Sequence, residues 1–167
     1  FIEDFPKPKG KKVTINATGL GEPVTNMYFI DILKAIQERG LNLVGFATNG
    51  TLLTKEAIRE VLALHVPVVC VSLRFADQER YAAHSRDDYY TKVVDNIHHF
   101  LRFPRPDNEA LHVCLFENED FPKAQRYWSK YLHPQDRLYL TPRFDMFNFL
   151  RRNKKVRTKQ CTAAYSS

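Results

Sequence analysis

The sequence predicts an α/β fold of parallel strand–helix repeats. Its 167 residues are enough for one domain with a hydrophobic core, which we assign to residues 13–145. Short apolar runs typical of strands recur at intervals of roughly thirty residues, the spacing of repeated βα units. Amphipathic segments with helical periodicity lie between these runs. Parallel units of this kind form either a doubly wound sheet or a segment of a barrel.

The expected strands are short and mostly apolar. The first two begin at Thr14 and at Asn42, and the later ones cover residues 66–73, 111–117 and 137–141. The third is a nearly continuous apolar run, as expected for a strand of a parallel sheet that helices cover.

Helices are expected between these strands. The first lies between residues 25 and 39 and is ended by Gly40, and Thr54 is the N-cap of the second. Residues 77–88 form a long connection before the third helix, and Pro122 marks the start of the fourth. The buried stripe of the third helix consists of Val93, Val94, Ile97 and Leu101.

Charge and composition indicate a globular protein outside the membrane. The formal charge of +6 is concentrated in residues 7–12 and 151–159. We interpret both basic runs as solvated linkers rather than a nucleic-acid surface, because no aromatic residues accompany the second. Residues 1–12 are therefore a connector, and residues 146–167 a basic linker. There is no apolar run long enough to span a membrane and no signal-peptide pattern, so we expect a cytoplasmic protein without membrane partners.

The three cysteines are far apart in the sequence. Cys70 and Cys114 lie in apolar runs, which predicts buried residues that act as small hydrophobic side chains. Cys161 follows the second basic run and has no nearby partner for binding a metal.

The corner after the first strand carries the strongest functional signal. Gly19 and Gly21 let a ligand approach the backbone, and Glu22 places a carboxylate beside it, which suits an ammonium group. Pro23 fixes the exit from the turn. A purely structural turn is the alternative interpretation of these residues.

The next two strands end in similar corners. Thr48 and Asn49 follow the second strand, and Ser72 lies near the end of the third. Because the carboxyl ends of parallel strands share one edge of a sheet, these groups are expected near Glu22. No HExxH, GxxxxGK[ST] or GxGxxG pattern occurs, so zinc-protease chemistry and a phosphate-binding loop are not expected.

The order of the motifs GLGEP, TNG-TLLT and VSL, followed by Arg86, resembles the radical S-adenosylmethionine superfamily. The similarity covers residues 12–140 and is greatest to the SPASM/twitch-type branch, whose members carry auxiliary iron–sulfur clusters. It implies an incomplete (β/α)6 barrel of the partial TIM type. It also implies a [4Fe-4S] cluster that cleaves S-adenosylmethionine to a 5′-deoxyadenosyl radical.

The resemblance also implies site residues. Gly19, Gly21 and Glu22 would bind the amino group of the methionine moiety, and Ser72 and Arg86 its carboxylate or the ribose. Asn118 and Leu140 would approach the ribose and adenine. The implied S-adenosylmethionine site comprises Gly19, Gly21, Glu22, Pro23, Thr48, Asn49, Ser72, Arg86 and Asn118.

One defining motif of the family is absent. The cysteines of CxxxCxxC, which hold the cluster and should precede Thr14, do not occur in the sequence. The sequence is therefore either a fragment without that unit or a relative that lost the cluster. Cys161 resembles the start of an auxiliary-cluster extension and is a candidate iron–sulfur ligand.

Two functions follow from these alternatives. In the first, the sequence is the S-adenosylmethionine-binding part of a radical oxidoreductase that acts on a peptide, sugar or small metabolite. Such a parent enzyme would receive electrons from flavodoxin or ferredoxin. In the second, the chain is a cluster-free barrel remnant that binds a ligand or partner.

Overall fold

A computed structural model describes residues 13–19, 21–116 and 121–141 of the chain. Strands and helices alternate within these ranges. The strands are β1 (Thr14–Asn16), β2 (Asn42–Thr48), β3 (Val68–Arg74), β4 (Ala110–Phe116) and β5 (Arg137–Thr141). The helices are α1 (Phe29–Glu38), α2 (Lys55–Ala63), α3 (Gln78–His84), α4 (Tyr90–Arg102) and α5 (Phe121–Trp128), and a 3-10 turn covers Pro23–Thr25. The predicted connector at residues 1–12 and basic linker at residues 146–167 lie outside the described residues.

The strands form one parallel sheet in sequential order. Its five strands are arranged β1-β2-β3-β4-β5, and each pairs in parallel with its neighbour. This confirms the prediction of parallel βα repeats. A doubly wound sheet reverses its strand order at a switch point, and the sheet described here contains no reversal.

The two faces of the sheet have different environments. On the face that we call outer, alternate residues of β3 and β4 are completely buried against the helices, and they are Val69, Val71, Leu73, Leu111, Val113 and Leu115. Their helix partners in this core include Leu33, Ile58, Ile97 and Trp128. On the opposite, inner face, Cys70, Ser72 and Arg74 are half-buried or exposed and line cavities. The helices thus supply the core on one face, and the other face is left for a site.

Several predicted helix ends are confirmed. The Thr54 hydroxyl accepts a hydrogen bond from the Ala57 amide at 3.3 Å, so it caps α2 as expected. Gly40 follows α1 and has a φ of 63°, a conformation in which glycine is favoured. The α1 helix begins at Phe29, later than predicted, because Pro23–Thr25 forms a separate 3-10 turn.

The connection at residues 77–88 was wrongly predicted to lack a helix. It contains α3, whose N-cap Asp77 accepts a hydrogen bond from the Arg80 amide at 3.0 Å. Tyr81 is the one buried residue of this helix. Because α3 has no apolar stripe, periodicity gave no sign of it.

A buried ion pair joins the amino ends of β4 and β5. The Arg105 guanidinium donates two hydrogen bonds to the Asp136 carboxylate, at 2.8 and 2.9 Å, and both side chains are completely buried. The amides of Leu111 and His133 also donate to this carboxylate, at 2.8 and 2.9 Å. Burial raises the pKa of Asp136, but the hydrogen bonds from Arg105 and the two amides outweigh it and lower the pKa below its usual value.

Among the residues that the structure describes, no helix has the length and apolar character needed to cross a membrane.

Candidate functional site

A cavity lies at the carboxyl ends of β1, β2 and β3. Its volume is about 440 Å³, within the range of small-molecule sites. The residues that line it are Thr18, Gly19, Gly21, Glu22, Ala47, Thr48, Asn49, Ser72 and Arg74. The structure therefore brings together six residues that the sequence proposed for one site, and those are Gly19, Gly21, Glu22, Thr48, Asn49 and Ser72.

The Glu22 carboxylate is held firmly in this cavity. Its Oε1 accepts hydrogen bonds from the Thr48 hydroxyl at 2.6 Å and from the Val24 amide at 3.2 Å. Its Oε2 accepts one from the Asn49 amide at 2.5 Å. A carboxylate offers about four acceptor positions, so these bonds leave one for a ligand, on Oε2.

The backbone around Glu22 explains the sequence of the corner. Gly21 has a φ of 115°, which side chains rarely permit. Glu22 is the N-cap of the 3-10 turn and Pro23 its first residue, so Pro23 fixes the direction of the chain rather than lining the cavity. A Cβ atom added at Gly19 would meet no atom within 4 Å. Crowding therefore does not explain why position 19 is a glycine. Its lack of a side chain leaves open space beside the Glu22 carboxylate.

Thr48 and Asn49 make hydrogen bonds that hold the two corners of the site in place. The Thr48 hydroxyl accepts a hydrogen bond from the Gly50 amide at 3.0 Å while it donates to Glu22. The Asn49 side-chain oxygen accepts from the amide and hydroxyl of Thr51, at 2.9 and 2.7 Å. The side chain of Asn49 is thus held within its own loop, and its backbone amide contacts Glu22.

Arg86 lies in a neighbouring cavity of about 340 Å³ that shares Asn49, Ser72 and Arg74 with the first. Its side chain is exposed at the end of the α3 connection. Ser72 therefore lies between the Glu22 corner and the Arg86 loop. Asn118 and Cys161, which complete the sequence-based set, lie outside the described residues. Alternation along β5 places Leu140 on the face opposite Tyr139 and Thr141, away from the inner face.

Arg74 is a residue of these cavities that the sequence analysis missed. It ends β3 with a φ of 70°, an uncommon conformation for a residue with a side chain. It lines both cavities described above and a third, of about 360 Å³, on the inner face. Its position directly after Ser72 and Leu73, at a strand end, was a signal that could have identified it.

The cysteines of β3 and β4 differ in part from the prediction. Cys114 is buried as expected, with 5% of its surface exposed, whereas Cys70 is half-buried. Both line the third cavity, and their Sγ atoms are 2.6 Å apart. Within the described residues, no group of three or more His, Cys, Asp or Glu side chains is arranged to hold a metal ion.

No known protein-family profile matches the chain. Over 71 residues, or 42% of the chain, it is 39% identical to the tungsten-containing aldehyde ferredoxin oxidoreductase cofactor-modifying protein of Pyrococcus furiosus. Over 121 residues, or 71% of the chain, it is 33% identical to an uncharacterized protein of Methanocaldococcus jannaschii. The matched regions are 18% and 41% of these relatives, so the chain spans less than half the length of either.

Proposed function

We propose that this chain is the S-adenosylmethionine-binding part of a radical S-adenosylmethionine enzyme. Its sheet would belong to an incomplete (β/α)6 barrel whose inner face carries the site. The sequential strand order supports the barrel, because each right-handed crossover then places its helix on the same outer face. The half-buried, partly polar inner face fits a barrel interior that holds a ligand.

The observation that carries the proposal is the arrangement around Glu22. Three hydrogen bonds from Val24, Thr48 and Asn49 fix the carboxylate, and one acceptor position on Oε2 remains for a ligand. A fixed carboxylate with a free acceptor position suits an ammonium group, such as the amino group of a methionine moiety. The open space beside Gly19 would admit the amino acid portion of the ligand.

Ser72 and Arg86 complete the proposed contacts. The Ser72 hydroxyl lies between the two cavities, where it can donate to a carboxylate or accept from a ribose hydroxyl. Arg86 would hold the methionine carboxylate through its guanidinium group, which presents two parallel donors. The ligand would therefore lie across both cavities, with its amino and carboxylate groups bound by opposite charges.

The cluster of such an enzyme does not fit the residues of this chain. The sequence lacks CxxxCxxC, and the described residues contain no metal-binding group. In our proposal the cluster-binding cysteines belong to a part of the whole protein outside this sequence. When bound there, the cluster would supply the electron that cleaves S-adenosylmethionine.

The name of one relative bears on the substrate class of the parent enzyme. That relative is named for acting on a cofactor, and the match covers 42% of this chain. Of the three expected substrate classes, it favours a small metabolite over a peptide or a sugar.

Binding measurements on the 167-residue chain test the role of Glu22. We expect S-adenosylmethionine to bind measurably more tightly than 5′-methylthioadenosine, which lacks the amino acid portion. Glu22→Gln should weaken S-adenosylmethionine binding by about tenfold or more, because a charge-assisted hydrogen bond is lost. The same variant should leave 5′-methylthioadenosine binding unchanged. Isothermal titration calorimetry on each protein gives the four affinities.

Glu38→Gln is the matched control, since Glu38 is an exposed carboxylate at the end of α1. It should bind both ligands as the unchanged chain does. Equal affinity of the Glu22→Gln variant and the unchanged chain for S-adenosylmethionine would refute the proposal and leave the corner as a structural turn. Binding in the whole protein that is indifferent to iron and sulfide would favour the cluster-free binding module instead.

A further inference from the structure

Two thiols meet in the cavity on the inner face of the sheet. Cys70 is on β3 and Cys114 on β4, and the two strands are hydrogen-bonded neighbours. Their Sγ atoms are 2.6 Å apart, and the Tyr139 hydroxyl lies 3.2 Å from the Cys70 Sγ. The Sγ atoms are thus close enough to react with each other, although the register of β3 and β4 places Cys70 opposite His112 rather than Cys114.

The cavity gives a small molecule access to this pair. Its volume is about 360 Å³, and Ser72, Arg74, Phe116, Tyr139 and Thr141 line it together with the two cysteines. Cys70 is the more accessible thiol, since it is half-buried while Cys114 is buried. Arg74 lines the same cavity at the end of β3, four residues after Cys70.

The hydrogen bonds make the two thiols chemically different. The bond between Cys114 and Cys70 lowers the pKa of Cys70 to about 7, and the contact from Tyr139 acts in the same direction against the effect of burial. The same bond and burial raise the pKa of Cys114. Cys70 is therefore the nucleophile of the pair, because it is the more accessible thiol and also the one that loses its proton more readily. A thiol with a pKa near the ambient pH attacks disulfides most effectively.

We infer that Cys70 and Cys114 form a redox-active dithiol that exchanges with small disulfides entering the inner-face cavity. The Cys70 thiolate attacks one sulfur of the small disulfide, which forms a mixed disulfide and releases the first thiolate. Cys114 then loses its proton and attacks the Cys70 sulfur, which forms the Cys70–Cys114 disulfide and releases the second thiolate. Two electrons pass to the small disulfide, and the two released thiolates take up the two protons.

Two other roles for these cysteines, metal binding and packing in the core, fit the geometry less well than thiol–disulfide exchange. A metal ion bound tetrahedrally to both sulfurs, with bonds of about 2.3 Å, would hold them roughly 3.8 Å apart, which is more than the 2.6 Å between the two Sγ atoms. Two purely structural core cysteines would be expected on the outer face among the aliphatic side chains, and these two are on the inner face.

Disulfide mapping on the native 167-residue chain tests this inference. The chain is incubated with graded ratios of reduced to oxidised glutathione, then quenched with acid, alkylated and digested with trypsin. Cys70, Cys114 and Cys161 fall in separate expected peptides, at residues 60–74, 103–123 and 160–167, so each linkage is assigned directly. We expect a linked pair of the first two peptides, formed at ratios that leave Cys161 without a protein partner.

Two variants test the order of attack. Cys114→Ser should accumulate a mixed disulfide between Cys70 and glutathione, while Cys70→Ser should leave Cys114 as a free thiol. Alkylation of Cys70 in the unchanged chain should rise with pH to a half-maximal rate at about pH 7. The mapping and the alkylation need no variant, so a variant that fails to fold leaves both tests intact.

Three outcomes would contradict the inference or the order of attack. The inference is wrong if both cysteines stay reduced in the native chain while oxidised glutathione is in large excess. It is also wrong if the Cys70–Cys114 linkage forms only in urea, because the pair would then depend on unfolding. Faster alkylation of Cys114 than of Cys70 would overturn the assigned order.

Discussion

At the scale of single residues, the site depends on the two hydrogen bonds that the Thr48 hydroxyl makes, one to each of two corners. Its hydroxyl donates to the Glu22 carboxylate and accepts from the Gly50 amide, and Thr48 is 2% exposed. One buried hydroxyl thus connects the corners after β1 and β2. The position of the carboxylate is set by the second corner as much as by the first.

Thr48→Val tests this connection, because valine has a similar shape but no hydroxyl. It should lower the free energy of unfolding by about 1–3 kcal/mol, since it leaves the buried Gly50 amide unpaired and removes one hydrogen bond from the Glu22 carboxylate. Urea unfolding measures the loss. Combined with Glu22→Gln, it should show a coupling energy of about 0.5–3 kcal/mol, as residues in contact do. Strict additivity of the two substitutions would contradict the connection.

The sequence could predict Glu22 at residue scale but not the roles of its neighbours. A carboxylate between glycine and proline at a strand end is visible in the chain itself. Asn49 was expected near Glu22, and the structure shows that its side chain is held by Thr51 while its backbone amide binds the carboxylate. Which atom of a polar residue faces a site depends on local turns that residue type does not specify.

At the scale of elements, Gly45 marks a close approach between β2 and β3. Gly45 pairs with Val68, and its φ is 155°. A Cβ atom placed at this position would lie 2.1 Å from the Val68 carbonyl oxygen. The two strands therefore pair in this register only with glycine at position 45.

Gly45→Ala should consequently lower the free energy of unfolding by about 3 kcal/mol, because the backbone of β3 must move. Thermal or urea unfolding checks this value. Gly19→Ala is the control, since open space surrounds its added Cβ atom, and it should change stability by no more than about 0.5 kcal/mol. Equal effects of the two substitutions would show that crowding between β2 and β3 is not what requires Gly45.

Element-scale prediction succeeded where the sequence carries a local signal, such as a short strand-like run or a capping residue. The β5 strand at residues 137–141 and the cap at Thr54 agree with the structure. The contact between Cys70 and Cys114 was beyond reach, because the residues are 44 positions apart and meet only through the β3–β4 register. Two apolar runs show that both are strands, but they do not show which residues are neighbours.

At the scale of the whole molecule, the carboxyl and amino ends of the strands have different roles. The carboxyl ends of the strands carry the cavities with Glu22 and Ser72. The amino ends of β4 and β5 carry the completely buried pair of Arg105 and Asp136. In parallel βα folds, residues at the carboxyl ends serve function and those at the amino ends serve stability.

Asp136→Asn should therefore destabilise the chain without altering the site. We expect a loss of about 3–5 kcal/mol at neutral pH, because the buried Arg105 charge loses its partner. S-adenosylmethionine affinity, measured where the variant is still folded, should stay within about twofold of the unchanged chain. Asp107→Asn, at an exposed aspartate of the connection that carries Arg105, is the control for the loss of a carboxylate.

The same pair predicts how stability depends on pH. The folded-state pKa of Asp136 is lower than its unfolded value, so the stabilisation is complete above the unfolded pKa of about 3.9. It is lost as the pH falls from there through the folded-state pKa, because protonation breaks the pair with Arg105. Urea unfolding from pH 7 to pH 2 should therefore show a loss of stability below about pH 4 that is smaller in Asp136→Asn. An equally steep loss in the variant would mean that other carboxylates govern acid unfolding, and the stabilising role assigned to this end of the sheet would then have to rest on other contacts.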